Sequence, residues 1–176
     1  IAYEVRERNY DLVVVDASAS GHVVGQLASP VALGELIGVG VVQAQTAWMI
    51  DLLKDPATTG VVVVATPEEM PVNETLELVG RLGTETEIDL AGVVANRVLP
   101  ELFSRTEEEL FDELAESVRS DGDALTGVDD SLGATTGAGL QGVVEAAELA
   151  VGLRRSRVPH LQRLRAGPPE GVPLVN

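Results

Sequence analysis

The sequence predicts an α/β fold, a three-layer, mostly parallel sheet flanked by helices. Three observations carry this prediction. Apolar runs at residues 12–15, 60–65 and 90–95 are rich in Val and Ala and apolar at successive positions, as expected of strands buried on both faces of a parallel sheet. Stretches of helical period separate the later runs. Each run also ends on a small polar residue, Asp16, Thr66 or Asn96, at the sheet edge where open α/β folds place ligands. Strand, helix, strand, helix, strand at this spacing is a βαβ pattern.

Taken in order, residues 1–8 read as the last turns of a helix. Their charges (Glu4, Arg6, Glu7, Arg8) do not fit a signal peptide. The chain begins at Ile1, not Met, so it is expected to be a fragment of a larger protein. Residues 12–15 form the first predicted strand, ending on Asp16. The loop 17–21 carries almost no side-chain bulk, so its backbone N–H groups can approach an anion. Ser29-Pro30 is a predicted helix start, with Ser as cap and Pro at the first helical position. Val31, Leu33, Leu36 and Ile37 form its apolar face, and Gly38-Val39-Gly40 breaks it. A helix over 41–54 follows, with Val42, Trp48, Met49, Leu52 and Leu53. Trp48 is expected to pack inward, the alternative being a partner surface.

Asp55-Pro56 stops that helix, and residues 60–65 form the second strand. Pro71 opens a helix with Val72, Leu76, Val79 and Leu82 on one face, and Gly83 ends it. The third strand is 90–95. Residues 101–119 read as an amphipathic helix with Leu102, Phe103, Leu110, Phe111 and Leu114 inward, and with Thr106 and Glu109 as a capping box. Residues 120–139, rich in Gly, Asp, Ser and Thr, are expected to be a mobile loop. Residues 140–164 read as a helix with a kink at Pro159, and the chain ends in a short strand. One domain, residues 1–176, is expected.

Composition narrows the chemistry. The hydrophobic fraction is 45% with only 3% aromatic, so the core is aliphatic. There are no cysteines, which excludes disulfides and thiolate zinc sites. A net charge of −16 argues against non-specific nucleic-acid binding. Five arginines and no acid lie between Arg154 and Arg165. They are expected to be a solvated helix face, the alternatives being contact with phosphate, an acidic partner or an anionic membrane surface. No apolar run reaches the roughly 18 residues of a spanning helix, so a soluble, cytoplasmic protein is expected, with peripheral membrane contact the alternative.

The block Asp16-Ala17-Ser18-Ala19-Ser20-Gly21-His22 resembles the Asp-Thr-Ala-Pro-Thr-Gly-His signature of the ArsA family, the anion-pump and tail-anchored-protein-targeting ATPases. The stretch Thr66-Pro67-Glu68-Glu69-Met70-Pro71-Val72-Asn73-Glu74-Thr75 and the block Asn96-Arg97-Val98-Leu99-Pro100 resemble later blocks of its short bacterial members. The resemblance implies a truncated P-loop NTPase-like fold in a protein that hydrolyses ATP with Mg²⁺. It implies that Asp16 serves the metal, that Ser18, Ser20, Gly21 and His22 form the nucleotide switch, and that Asn96, Pro173 and Leu174 bind the base. It also implies a homo- or heterodimer with an ArsA-family subunit, and a membrane-associated partner.

Simpler readings stand beside these. Asp16 can cap a turn, His22 can make a structural hydrogen bond, and Asn is common in the turn after a strand. Glu68 and Glu69 favour the positive end of the helix that follows. A Ser-His-Asp triad from Ser18 or Ser20, His22 and Asp16 needs a specific hydrogen-bond chain that one short loop does not supply. A dinucleotide-binding oxidoreductase domain lacks its Gly-x-Gly-x-x-Gly. No Gly-Lys-Ser/Thr loop occurs, and Lys54, the only lysine, is in the wrong context for one. The chain alone is therefore expected to be inactive. A non-catalytic partner subunit of a heterodimeric ArsA-type ATPase is the alternative function.

Overall fold

The computed structural model describes residues 1–18, 21–37, 39–120 and 140–176. Residues 121–139 of the predicted mobile loop, the Ala19-Ser20 pair and Gly38 lie outside the described residues. Helices α1 (Ala2–Arg6), α2 (His22–Leu36) and α3 (Val41–Lys54) precede β1 (Val61–Ala65), α4 (Glu69–Glu85) and β2 (Leu90–Ala95). Helices α5 (Arg105–Ser120) and α6 (Leu140–Ala166) and the short β3 (Leu174–Val175) follow. The chain divides into two compact units, one of residues 1–97 and 161–176, the other of residues 98–160.

In the first unit the three strands form a parallel sheet in the order β1-β2-β3. Val61 pairs with Leu90 but Val62 pairs with Gly92, so Ala91 is an extra residue on β2. A Cβ at Gly60 would meet the Ala91 methyl at 2.6 Å, so only glycine fits beside this irregularity. The core joins Val63 of β1, Val79 and Leu82 of α4, and Val24 of α2, all buried. The helix of α4 keeps Val72, Thr75, Val79 and Leu82 inward, close to the predicted face.

Two expectations about the strands are corrected. Residues 12–15 are in no ladder, and Leu12, Val14 and Val15 are exposed, Val14 by 81%. An apolar run becomes a strand only when a neighbour accepts its backbone hydrogen bonds, and none of β1, β2 and β3 does. Strand β1 buries one face only. Val63 and Ala65 are buried while Val62 and Val64 are 55% and 59% exposed, so among the described residues no helix covers that side of β1.

Helix α2 starts at His22, earlier than Ser29-Pro30 suggests, and holds Pro30 inside it. A proline cannot donate to the carbonyl four residues back. Here that carbonyl belongs to Gln26, and the Ser29 hydroxyl donates to it at 2.7 Å. Ser29 thus repairs the helix interior and caps nothing. Gly40, with φ of 91°, turns the chain into α3. The Arg6 guanidinium lies 5.3 Å from the centroid of the half-buried Trp48 ring, a cation–π contact.

In the second unit Ala115, Val144 and Val151 are buried, and Phe103 stacks on Phe111 with centroids 5.6 Å apart. Leu102 and Leu110 are 57% and 60% exposed and do not face inward. The capping box is shifted by two residues from the predicted pair. The Ser104 amide donates to Glu107 Oε2 at 2.8 Å, and the Glu107 amide donates to Ser104 Oγ at 3.4 Å. Helix α6 runs on past Pro159 to Ala166.

Candidate functional site

The C-terminal edge of the sheet is built by β1 and β2. After Ala65 the chain turns at Thr66, buries Pro67, and enters α4 with Glu69 in its first turn. That carboxylate lies where the helix dipole favours negative charge. The Asn96 amide donates to the Ala65 carbonyl at 2.8 Å, which extends the ladder one residue past β2. Asn96 itself is exposed. Its Oδ1 accepts from the Arg97 amide at 2.9 Å, and Arg97 takes a left-handed φ of 56°. This is a side-chain-closed turn that leaves the Asn96 NH₂ group without an acceptor among the described residues. On β3, Leu174 pairs with Val93, and the Pro173 carbonyl accepts from the Val93 amide at 2.9 Å. Pro173 lies opposite Gly92, with its carbonyl 3.4 Å from where a Cβ on Gly92 would be.

The predicted switch lies elsewhere. Asp16 and Ser18 are exposed and irregular, His22 is the first residue of α2, and Ser20 lies outside the described residues. The guanidinium of Arg81 lies over Gly21 so closely that a Cβ there would collide with its Nη1. Arg81 is bound to Glu85, Nε to Oε1 at 2.6 Å and Nη2 to Oε2 at 3.1 Å. This bidentate pair raises the arginine pKa and holds the Glu85 carboxyl below the usual glutamate value. In a parallel βαβ unit α4 must run back against the strand direction. Arg81 is therefore twelve residues down α4 from Glu69, about 18 Å along the helix, away from the edge that carries Asn96. Gly21 and Asn96 are not brought together.

Magnesium commonly takes one or two carboxylates plus phosphate oxygens and water. Asp16 can supply one such carboxylate. Among the described residues there is no cluster of three or more His, Cys, Asp or Glu that could hold a metal ion. Of the predicted set, the described residues supply one carboxylate that could hold magnesium, Asp16, and one side-chain amide that could meet a base, Asn96.

Two features of this chain escaped sequence reading. The Arg81–Gly21 contact joins residues sixty positions apart with no local signal. The arginines after Arg154 are also not a uniformly solvated face. Arg154 pairs with Glu101 at 3.1 Å and Glu108 at 3.3 Å, and Arg155 pairs with Glu108 at 3.0 Å and Asp112 at 3.1 Å. Arg163 donates to Asn73 Oδ1 at 2.7 Å. The excess of acid at 101–112 and the arginines of α6 answer each other, a complementarity that their opposite signs in sequence do announce.

Residues 39–117 match the family model described as the anion-transporting ATPase. This stretch is similar to the ArsA family. It spans α3, β1, α4, β2 and most of α5, so it includes Asn96 and the Thr66–Thr75 block. Asp16–His22 and Pro173-Leu174 fall outside it. The ATPase BagA of Mycobacterium tuberculosis and the protein Mb3704 of Mycobacterium bovis are each 34% identical over 91 residues, 52% of this chain and 26% of theirs. The chain thus matches about a quarter of the length of these curated relatives. No described helix is long and apolar enough to cross a membrane.

Proposed function

We propose that this chain is part of an ATP-binding, ATP-hydrolysing ArsA-type protein, carrying the switch and adenine-reading segments but not the phosphate-binding loop. The observation that supports it is the family match over the βαβ core, which includes the strand end bearing Asn96. In this reading Asn96 reads adenine through its unengaged NH₂ group, with Pro173 and Leu174 beside the base. Asp16 serves Mg²⁺ or its water shell. Ser18, Ser20, Gly21 and His22 respond to the terminal phosphate. The reading requires residues 12–15 to enter the sheet as a strand, because only that places Asp16 at the edge that carries Asn96. The working unit is a cytoplasmic homo- or heterodimer with an ArsA-family subunit, with a membrane-associated partner.

A second reading is favoured by one feature, the lack of a Gly-Lys-Ser/Thr loop in this sequence. In it the chain is a non-catalytic subunit that pairs with an active one. Intact mass and N-terminal sequencing of the protein from its own cell separate the two. A product larger than 18.5 kDa with such a loop ahead of Ile1, binding Mg-ATP by calorimetry and losing affinity in Asn96→Ala, supports the first. A native product starting near Ile1 supports the second. A loop-bearing product that binds no Mg-ATP refutes the first.

A further inference from the structure

We propose that the cleft among α2, α3 and the C-terminal end of α4 binds a small amphiphilic cation, a short apolar body with one ammonium group. This goes beyond the ATP reading and uses none of its residues. The cavity holds about 370 Å³, within the span of small-ligand sites. Leu27 and Val31 of α2, Ile50 and Leu53 of α3, and Ile88 before β2 supply apolar walls.

Its charged lining is lopsided. Three carboxylates, Glu35, Glu85 and Glu87, stand against one ammonium, Lys54. Two of the three are already matched. Lys54 Nζ lies 2.9 Å from Glu87, and Arg81 holds Glu85 at 2.6 Å. Glu35 has no hydrogen bond or ion pair among the described residues. An entering cation therefore meets an uncompensated carboxylate at the rim of an apolar hollow. An entering anion meets that same charge and a chain of net charge −16. Lys54 provides the precedent, since it lines the cleft as an alkylammonium group with its charge on a carboxylate.

The test is a titration of the full chain, ¹⁵N-labelled, with hexylammonium, 1-hexanol and hexanoate, following backbone amide shifts. The expected result is saturation by hexylammonium in the range of about 1–10 mM, with the largest shifts at Ile50, Gly83 and Thr84. Hexanol binds about three- to fivefold more weakly, the scale of one solvent-screened charge interaction, and hexanoate does not bind. Glu35→Gln brings hexylammonium down to the level of hexanol. Ala32→Trp, which fills the mouth, removes binding of both. Shifts that fail to saturate or fall outside the cleft overturn the proposal. So do equal affinities for the three probes, an unchanged hexylammonium affinity in Glu35→Gln, or binding retained in Ala32→Trp.

Discussion

Leu82→Ala tests how the first unit is held together, and Val64→Ala is its control. Leu82 is 2% exposed and packs with Val24, Val63 and Val79. The substitution removes three carbon atoms, about 2.4 kcal/mol of transfer free energy at about 0.8 kcal/mol per group. The site is walled by an α2 residue, a strand residue and its own helix, so it cannot close fully over the gap. The residual cavity brings the expected loss to about 3–4 kcal/mol. Val64 is in the strand that supplies Val63 but is 59% exposed, so its truncation is expected to cost less than about 0.5 kcal/mol. Urea unfolding of the full chain, followed by circular dichroism, reads both as midpoint shifts at constant slope. A loss below about 1.5 kcal/mol for Leu82→Ala would refute the packing argument. A loss above about 1 kcal/mol for Val64→Ala would show that the bare face of β1 is covered in solution.

Two further predictions concern the second unit. The Glu108 side chain is 13% exposed and accepts from both Arg154 and Arg155, so Glu108→Gln is expected to lower stability by about 1–3 kcal/mol. Asp112→Asn, at a carboxylate 57% exposed, should cost less than about 0.5 kcal/mol. Thermal denaturation of the two variants checks the order, and the reverse order would show that burial does not set the weight of these pairs. Hydrogen bonds from Ser104, side chain first and backbone second, hold the Glu107 carboxyl below its ordinary value. A depressed carboxylate contributes stability that is present above the unfolded pKa and lost as pH falls through the folded one. The start of α5 should therefore loosen on acidification below the usual glutamate range, seen as amide exchange at Glu107 and Glu108. Glu107→Gln should flatten that response, and an unchanged response in the variant would assign it to other carboxylates.

Legibility varied with how local the cause was. The core strands β1 and β2 and helix α3 were readable because each is a run of consecutive residues bounded by breakers, Gly40, Asp55-Pro56 and Gly60 among them. The start of α2 was misplaced because Ser-Pro is an ambiguous pair. It starts many helices, yet here the Ser29 hydroxyl serves the Gln26 carbonyl. The capping box was misplaced by two residues because Ser104…Glu107 and Thr106…Glu109 have the same spacing. Asn96 was placed at a strand end, and its closed turn with Arg97 could not be read from residue type alone.

The sequence by itself determined the α/β class, the parallel βαβ order, the lack of cysteine and the likeness to the ArsA family over residues 39–117, since each depends on neighbouring residues or on composition. Tertiary structure alone decided three things. It left residues 12–15 outside the sheet, because a strand exists only through a partner's hydrogen bonds. It joined Arg154 and Arg155 to Glu101, Glu108 and Asp112, because ion pairs between helices depend on which faces meet. It placed Gly21 under Arg81, a contact between distant positions that only the return path of α4 creates.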